Sequence, residues 1–269
     1  MKSSGNVTVG ADYLAGKVGV VTGGATLLGR GVVAALTGAG AAVTVVDVDE
    51  SGADRFGEGP ADVVLADVTD DAALCAVFER VVDLHGRLDF LVNLACRYDD
   101  QGAGSTREQW MSTLSVNVVS AARAACLARP FLAAGGGGAI VNISSVSSKV
   151  AQTGRWTYPA SKAALVQLTR SMALDFAPDR IRVNSVSPGW TWSAVMEALS
   201  GGSRDRTDQV AEPFHMTGRA GDPAEVGAVV SFLVGDAASV VTGADWAADG
   251  GYSAMGPEQA VSAIPLLSV

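Results

Sequence analysis

The stretch KVGVVTGGATLLGRGVVAALTGAGAAVTVVD, residues 17–47, decides the fold of this chain. It begins with a short apolar run that ends in a glycine-rich turn. Ten residues with helical periodicity follow at 27–36, and a second apolar run occupies 42–47. Short apolar runs of this kind are typical of strands buried in a parallel sheet. A strand, a glycine-rich turn, a helix and a strand within about 30 residues form a βαβ unit, so the stretch predicts an α/β protein.

The same alternation continues through the rest of the chain. Further elements are predicted as strands at 62–66, 88–93, 139–144, 181–186 and 244–248, and as helices at 70–82, 107–132, 157–177 and 223–234. We therefore predict one Rossmann-type domain over residues 15–253, a doubly wound parallel sheet with helices on both faces. Residues 1–14 are expected to form a flexible leader. Residues 254–269 are expected to form an apolar tail that docks on its own or a neighbouring subunit.

Composition limits the classes of function. The chain has 269 residues, 48% hydrophobic and 17% charged, which is enough for a large core. Its net charge of −9 argues against a nucleic-acid partner and offers no basic patch for a membrane surface. We see no apolar run near the roughly 18 residues of a membrane span and no signal-peptide stretch. The expected location is the cytoplasm.

Cysteine and histidine usage disfavours several kinds of site. The three cysteines form an odd set without CxxC spacing, so neither a disulfide framework nor a zinc site is predicted. With only two histidines, a His-based triad is poorly supported. We expect no metal.

Two carboxylates follow predicted strands where a dinucleotide would lie. The turn at 22–29 lets the backbone approach a pyrophosphate at a helix N-terminus. Asp47 ends the second strand, where a carboxylate accepts hydrogen bonds from ribose hydroxyls and repels a 2′-phosphate, which favours NAD over NADP. The alternative is an ordinary strand-end or helix-capping aspartate. Asp67 ends the third strand and is a candidate for contact with adenine or for capping the next helix.

A hydroxyl, a phenol and an ammonium occur together between 145 and 162. Lys162 follows Tyr158 by four residues in a predicted helix, so the two side chains share one face. A phenol beside a fixed ammonium gives up its proton more readily, which makes Tyr158 a candidate general acid/base. Ser145 precedes this helix. The alternative is an exposed Tyr and Lys on a helix surface.

The order of these motifs resembles that of the short-chain dehydrogenase/reductase family, across nearly the full chain. Residues 22–29 resemble its TGxxxGxG turn, residues 158–162 its YxxxK motif, and Ser145 has the family spacing. Further matches occur at Asp67 and Val68, at 93–95, at Asn117, at Pro188 and Gly189, and at 242–251.

The resemblance implies roles for individual residues. Tyr158 would be the acid/base, Lys162 would assist its ionisation and bind the nicotinamide ribose, and Ser145 would hydrogen-bond the substrate oxygen. Asn117 would hold a proton-relay water in the long helix, although an Asn there could simply mark a bend. The implied cofactor-binding residues are Gly23, Thr26, Leu28, Gly29, Asp47, Asp67, Val68, Asn93, Ala95, Tyr158, Lys162, Pro188, Gly189, Thr191 and Ser193.

Three positions depart from the family pattern. The middle glycine of the turn is Leu27, which is expected to narrow the approach to the dinucleotide. Leu94 and Cys96 replace an Asn and a Gly after the fourth strand, with loss of a polar group that steadies the central strand. We interpret these changes as a variant cofactor cradle.

The region from about 190 to 222 is expected to form the substrate loop or lid, with a hinge at the glycine pair 201–202. Aromatic rings near the catalytic mouth suit an apolar or ring-containing ligand, but the same rings could pack the loop on itself or fill a subunit interface. Arg97 and Arg155 are candidates for a substrate carboxylate. The candidate substrate residues are Arg97, Arg155, Trp156, Trp190, Trp192 and Met196.

The sequence thus predicts an NAD-dependent oxidoreductase that interconverts a secondary alcohol and a ketone on an apolar, cyclic or aromatic small molecule. A homotetramer is implied by the resemblance. Two alternatives stay open: an NADPH-dependent 3-oxoacyl-type ketone reductase, and a catalytically silent dinucleotide-binding protein.

Overall fold

The structure is a computed structural model that describes residues 12–53, 56, 61–256 and 265. Residues 1–11 of the predicted leader, and the predicted tail beyond 256 apart from residue 265, lie outside the described residues. Tyr13 and Leu14, which the prediction placed in the leader, belong to the folded domain. Leu14 is completely buried, and the Tyr13 hydroxyl donates to Ser231 Oγ at 2.6 Å.

The predicted strands form one seven-stranded sheet. They are β1 (Val18–Thr22), β2 (Ala42–Asp47), β3 (Ala61–Leu65), β4 (Phe90–Asn93), β5 (Gly138–Ile143), β6 (Ile181–Pro188) and β7 (Asp245–Ala248). All neighbours are parallel, in the order β3-β2-β1-β4-β5-β6-β7. The chain winds outward from β1 to β3 and then crosses to the other side of β1 at β4. The carboxyl ends of β1 and β4 are therefore the switch point where ligands bind in such sheets.

Helices cover both faces of the sheet, as predicted. They are α1 (Leu27–Gly38), α2 (Glu50–Ala53), α3 (Asp71–His85), α4 (Arg107–Leu114), α5 (Ala121–Ala134), α6 (Thr157–Phe176), α7 (Ala194–Ser200), α8 (Arg204–Ala211) and α9 (Pro223–Val234). One core cluster lies between the sheet and α1 and α9, and a second lies between the sheet and α3, α5 and α6. The short helices α2, α7 and α8 had no counterpart in the sequence prediction.

The long helix predicted at 107–132 is interrupted. A π-helical segment, Ser115–Ser120, joins α4 to α5, and Asn117 lies inside it. The whole run Arg107–Ala134 is long and apolar enough to cross a membrane by length and composition, which corrects the expectation that no such run exists. In the fold it packs on the sheet, and its residues Ala125, Ala128 and Leu132 are completely buried.

Candidate active site

The glycine-rich turn between β1 and α1 is built by close backbone approaches. Gly23 has a φ of 72°, and a Cβ there would lie 2.6 Å from the backbone of Ala95. A Cβ on Gly29 would lie 2.4 Å from the carbonyl oxygen of Gly23. Thr26 closes the turn, because its hydroxyl donates to Gly23 O and accepts from Gly29 N, both at 3.0 Å. These residues keep the turn tight at the N-terminus of α1.

Leu27 is accommodated without backbone strain. It is the first residue of α1, and Arg180 is the one non-glycine residue with positive φ in the described part of the chain. Leu94 is also accommodated, since it is buried in the core and its amide donates to Thr22 Oγ1 at 3.2 Å. The two departures from the family pattern therefore leave the turn and the central strand intact.

Asp47 lies at the carboxyl end of β2 with both carboxylate oxygens fixed. Its Oδ2 accepts from Ala25 N in the glycine turn at 2.9 Å, and its Oδ1 accepts from Val48 N at 2.8 Å and Asp49 N at 3.1 Å. The side chain is only 8% exposed. It caps no helix. The carboxylate is thus held beside the turn, where the ribose of a dinucleotide would lie.

The second carboxylate, Asp67, is exposed and bonded locally. Its Oδ1 accepts from the amide and the hydroxyl of Thr69, both at 2.8 Å. The cap of α3 is Asp70, whose Oδ1 accepts from Ala72 N and Ala73 N, so the alternative of Asp67 as a helix cap is wrong. Val68 is buried beside it and lines a small cavity with Thr22, Asn93 and Ala95.

Tyr158 and Lys162 lie in the first two turns of α6, both buried and on one face. The Lys162 ammonium lies 5.5 Å from the centroid of the Tyr158 ring and donates to Ile143 O at 2.7 Å. Only 2% of Lys162 is exposed. Burial alone would lower the pKa of Lys162, but the acidic groups of Cys96 and Tyr158 outweigh it and raise that pKa. The ammonium therefore stays charged beside the phenol, and the alternative of an exposed pair on a helix surface is wrong.

Ser145 follows β5 and begins a chain of hydroxyl contacts. Its Oγ donates to Ser147 Oγ and accepts from Ser147 N, both at 3.2 Å. Ser147 Oγ in turn donates to Gln152 Oε1 at 2.8 Å. The short 3₁₀ turn that Ser145 caps packs against α6. The Ser145 hydroxyl is therefore fixed just after β5, at the start of a turn that packs against the helix carrying Tyr158.

Both polar atoms of the Asn117 side chain form hydrogen bonds within the protein. Its Oδ1 accepts from Arg97 N at 2.7 Å, and its Nδ2 donates to Arg97 O at 3.0 Å and Ser161 Oγ at 3.0 Å. Asn117 thus ties the π-helical segment to the loop after β4 and to α6. A π-helical segment interrupts the helix at this position, and any relay water here would have to use backbone carbonyls of that segment.

The side chain of Asn93 also forms hydrogen bonds within the protein. Its Nδ2 donates to Asn142 Oδ1 at 2.9 Å and Ala121 O at 3.3 Å, and Asn142 Nδ2 donates to Thr169 Oγ1 at 2.9 Å. This chain of amides joins β4, β5 and α6. It supplies the polar support that the sequence prediction assigned to the position of Leu94. A contact of Asn93 with a cofactor would have to come from its backbone.

Sequence reasoning missed Asp100, which holds the start of α6. Its Oδ1 accepts from Trp156 N at 2.9 Å and Gly102 N at 3.0 Å, and its Oδ2 accepts from Tyr158 N at 3.0 Å. Burial alone would raise the pKa of Asp100, but these amides outweigh it and lower that pKa. No local sequence signal identifies this cap, since donor and acceptor are more than 50 residues apart in the chain.

The predicted cofactor-binding residues after β6 lie at the carboxyl edge of the same sheet. Pro188 ends β6, and a Cβ on Gly189 would lie 2.8 Å from the Cα of Asp249. Thr191 is buried and pairs with Gly221 in an isolated parallel bridge. Ser193 caps α7, because its Oγ accepts from Met196 N at 3.4 Å. In this cap the Ser193 hydroxyl is the hydrogen-bond acceptor and the Met196 amide is the donor.

The predicted substrate residues separate into two groups. The Trp190 ring packs on Phe214, at 5.6 Å between centroids, and on His215, at 6.0 Å. Trp190 therefore packs the loop on itself, which was the alternative to substrate contact. The Arg97 side chain is also paired within the protein, since its Nε donates to Asp99 Oδ2 at 2.5 Å. The second group has exposed or partly exposed side chains for which the structure shows no comparable ring packing or ion pair, namely Arg155, Trp156 and Met196.

Trp192 anchors the loop at 190–222. The guanidinium of Arg204 in α8 lies 5.7 Å from its ring centroid. The same guanidinium donates to both oxygens of Asp208, to Asp222 at the start of α9 and to Ala220 O. Gly201 and Gly202, between α7 and α8, have φ values of 66° and 82°. The loop is thus joined to α9 by Arg204 and also by Arg219, whose guanidinium donates to Glu225, and it has a glycine pair within it.

The arrangement fits a nicotinamide dinucleotide. The carboxylate of Asp47 after β2, the tight turn at Gly23 after β1 and the buried ammonium of Lys162 at the end of β5 lie in that order along the carboxyl edge of the sheet. They match the needs of an adenosine ribose, a pyrophosphate and a nicotinamide ribose. In the described part of the chain, no group of three or more His, Cys, Asp or Glu side chains is placed to hold a metal ion.

Known proteins resemble this chain over most of its length. Residues 23–253 match the model of a family described as enoyl-(acyl carrier protein) reductase. Over 252 residues the chain is 35% identical to cis-4-hydroxycyclohexanecarboxylate dehydrogenase of Sinomonas cyclohexanicum, covering 91% of this chain and 99% of that protein. It is 32% identical over 253 residues to 3-oxoacyl-(acyl-carrier-protein) reductase FabG of Thermotoga maritima, covering 88% and 98%.

The solved structures give the same result. The crystal structure of gox2181 matches with a TM-score of 0.81 and 31% identity, covering 90% of this chain and 97% of that chain. Fold, site and relatives together define a nicotinamide dinucleotide-dependent oxidoreductase that acts on CH–OH groups. The chain belongs to the short-chain dehydrogenase/reductase family.

Proposed function

We propose that this enzyme oxidises a secondary alcohol to a ketone with NAD, on an apolar, cyclic or aromatic small molecule. The observation that carries the proposal is the pair on α6. A phenol, Tyr158, lies beside an ammonium, Lys162, that is almost completely withdrawn from water and bonded to the end of β5. Such a pair suits proton transfer to and from a hydroxyl group.

In this reaction the Ser145 hydroxyl holds the substrate oxygen and Tyr158, as phenolate, accepts the hydroxyl proton. The Lys162 ammonium stabilises the phenolate and binds the nicotinamide ribose. When bound, NAD supplies the acceptor for the hydride that leaves the carbinol carbon. The overall change is alcohol plus NAD to ketone plus NADH and one proton, which leaves through Tyr158. The work of the protein is positioning and charge stabilisation.

The preference for NAD over NADP is supported by Asp47. Its carboxylate is held by three backbone amides beside the glycine turn, so it cannot swing away from the ribose. A 2′-phosphate would meet a fixed negative charge there.

The substrate class is supported by one exposed ring and by one relative. Trp156 precedes Tyr158 by two residues and is exposed. The relative from Sinomonas cyclohexanicum is named for a hydroxylated cyclohexane ring that carries a carboxylate. Arg155 is exposed next to Trp156 and is our candidate partner for such a carboxylate.

A second candidate is a 3-oxoacyl-type ketone reductase. It is favoured by the description of the matching family and by the relative from Thermotoga maritima, both named for acyl-carrier-protein reductases. The fixed carboxylate of Asp47 counts against an NADPH enzyme, and no such argument opposes NAD.

We also propose a cytoplasmic homotetramer. The helical run Arg107–Ala134 and helix α6 carry apolar side chains that are exposed in the single chain, namely Met111, Val119 and Leu174. Association through these helices would cover them. Sedimentation equilibrium of the wild type and of a Leu174→Glu variant tests this. A monomeric wild type would contradict it.

The experiment that tests the function is a substrate screen. The enzyme is incubated with NAD or NADP and cyclohexanol, cis-4-hydroxycyclohexanecarboxylate, 1-phenylethanol or a 3-hydroxyacyl thioester, and reduced-cofactor absorbance is followed. We expect turnover of a ring-containing alcohol, faster with NAD. Turnover of the thioester alone, with NADP, would favour the second candidate. No turnover of any of these alcohols, with NAD binding retained in calorimetry, would favour a catalytically silent dinucleotide-binding protein.

A further inference from the structure

The first residue of β7, Asp245, has a buried carboxylate that joins two other parts of the fold. Asp245 lies opposite Ser185 in the parallel register of β6 and β7, and Ser187 follows on the same face of β6. Its Oδ1 accepts from Ser185 Oγ at 2.7 Å and from Ser187 Oγ at 2.8 Å. Both serines are completely buried, and only 7% of the Asp245 side chain is exposed. One oxygen of this carboxylate is therefore bonded to β6.

The other oxygen of Asp245 depends on a single cation. Its Oδ2 is buried and accepts no hydrogen bond from the described residues, and the Lys149 ammonium lies 3.0 Å from it. The contact is thus an ion pair without an aligned hydrogen bond. A carboxylate withdrawn from water is costly unless an opposite charge compensates it. Lys149 is the one cation that pairs with Asp245 within the described ranges, so the two side chains hold each other in place.

Lys149 belongs to the turn that begins at Ser145. Ser145 caps the start of the 3₁₀ turn Val146–Ser148. Lys149 closes this turn, because its amide donates to Val146 O at 3.0 Å, and the amide of Ser148 donates to Ser145 O at 2.9 Å. The ion pair therefore ties the end of the Ser145 turn to the start of β7.

Ser187 connects the same carboxylate to the other side of the site. It directly precedes Pro188 and Gly189, which are predicted cofactor-binding residues. The amide of Gly189 in turn donates to the carbonyl of the last residue of β7 at 3.1 Å. Asp245 thus lies between two segments of the site, namely the turn that presents the Ser145 hydroxyl and the carboxyl end of β6.

We propose that Lys149 and Asp245 are positioning residues: their ion pair sets the place of the Ser145 hydroxyl relative to the carboxyl end of β6. The inference rests on the proposed function, because it takes from that function the role of Ser145 as the group that holds the substrate oxygen. The role needs no contact of either side chain with the substrate. Hydride transfer requires a carbinol carbon held at a close and fixed distance, and a displacement of about 1 Å can cost about a hundredfold in rate.

A positioning role differs in its kinetic signature from a merely structural one. Loss of the ion pair leaves the glycine turn and the Asp47 carboxylate intact, so the affinity for NAD should stay near that of the wild type while kcat falls. A merely structural pair would lower the stability of the fold and leave kcat per folded molecule unchanged.

The first test is a double-mutant cycle on kcat, with NAD and the alcohol found in the screen. Lys149→Gln removes the ammonium, and Asp245→Asn removes the charge but keeps an oxygen for the serine hydroxyls. We expect each variant to lower kcat about tenfold, with calorimetric NAD affinity within a few-fold of the wild type. The double variant should be no slower than the slower single variant, because both changes break the same contact. Lys149→Arg keeps the charge and should restore most of kcat.

The matched control is another lysine–aspartate pair, at the opposite edge of the sheet. Lys17 precedes β1, and its Nζ lies 2.9 Å from Asp236 Oδ1. Lys17→Gln should leave kcat unchanged, whatever it costs in stability. Lys149→Gln carries the test should Asp245→Asn fold poorly, since the Lys149 side chain is 34% exposed.

The second test needs neither substrate nor cofactor. Hydrogen–deuterium exchange of the free protein, followed by mass spectrometry, reports on the amides of Ser148 and Lys149 that close the turn. We expect Lys149→Gln to speed exchange in a peptide that covers residues 145–152 and to leave exchange in α3 unchanged. Lys17→Gln should change neither.

The outcomes separate this inference from the proposed function. A wild-type kcat in Lys149→Gln would overturn the inference, as would a lowered kcat with unchanged exchange of the turn or an equal loss of kcat in Lys17→Gln. Wild-type turnover by Ser145→Ala would refute the role of Ser145 and with it the proposed mechanism. An inactive Ser145→Ala together with a wild-type kcat in Lys149→Gln would overturn only the positioning role.

Discussion

The carboxylate of Asp100 accepts a hydrogen bond from the backbone amide of Tyr158 at 3.0 Å, across 58 residues of chain. A second bond, from Trp156 N at 2.9 Å, reaches its other oxygen. Helix α6 has no side-chain cap of its own, so this distant carboxylate serves as its N-terminal cap. The position of the candidate acid/base therefore depends on the loop after β4.

Removal of this cap should cost both stability and turnover. We expect Asp100→Ala to lower the free energy of unfolding by about 1 kcal/mol, the usual cost of a lost helix cap. We also expect kcat to fall, since Tyr158 loses its fixed position. Denaturant unfolding and steady-state kinetics measure the two effects. A suitable control is Asp70→Ala, which removes the cap of α3 and should cost similar stability without a change in kcat.

The same carboxylate predicts a pH dependence. The pKa of Asp100 is lower in the folded state than in the unfolded chain. Its contribution to stability is therefore fully present above the unfolded pKa, near 3.9, and is lost as the pH falls through the lower, folded pKa. The stability difference between wild type and Asp100→Ala should be constant at neutral pH and shrink in acid. A difference that grows below pH ~4 would contradict the assignment.

Substitution of Asp47 should change the preference of the enzyme between NAD and NADP. We expect Asp47→Asn to lower kcat/KM for NAD about tenfold relative to NADP, since a hydrogen bond to a charged acceptor is lost and the repulsion of a 2′-phosphate is removed. Initial rates with both cofactors give the ratio. As a control, Asp71→Asn removes a surface carboxylate that pairs with Arg123 and should leave the ratio unchanged. An unaltered ratio in Asp47→Asn would show that this carboxylate does not face the ribose.

The substrate loop should loosen without Arg204. Its guanidinium joins Trp192, α8 and the start of α9, so Arg204→Ala should raise KM and speed limited proteolysis within 194–211, with a smaller effect on kcat. Arg206→Ala alters an exposed arginine of the same helix and is the matched control. Equal proteolysis rates in the two variants would argue against a fastening role for Arg204.

We expect that Leu27, which replaces a glycine of the family pattern, impairs neither the fold nor cofactor binding. Because it occupies the first position of α1 with an ordinary helical backbone, Leu27→Gly should destabilise the protein by no more than about 1 kcal/mol. Calorimetric NAD affinity should change little. A large gain in affinity would mean that the leucine side chain obstructs the cofactor.

Much of the fold could be predicted from local patterns. The apolar runs, the glycine turn and the helical periodicities each depend on residues close in sequence, and they place all seven strands within two residues of their observed bounds. Tyr158 and Lys162 were predictable on one face for the same reason, since their geometry follows from helix periodicity.

The features that the sequence did not predict depend on contacts between distant segments of the chain. The caps from Asp100, the bonds of Asn117 to Arg97 and the stack of Tyr98 on Tyr158 each join separate loops or helices. No spacing within one element signals them. The sequence left the role of Trp190 open for a related reason, because the composition near Trp190 cannot distinguish a ring that meets substrate from one that packs on Phe214.

The most direct test of the central claim is the Tyr158→Phe variant. Oxidation of the screened alcohol by NAD and calorimetric NAD binding are measured in parallel with the wild type. The account predicts that turnover is abolished while NAD affinity stays within a few-fold of the wild type. Retained turnover, or lost NAD binding with residual turnover, would contradict the role of Tyr158 as the group that takes the alcohol proton.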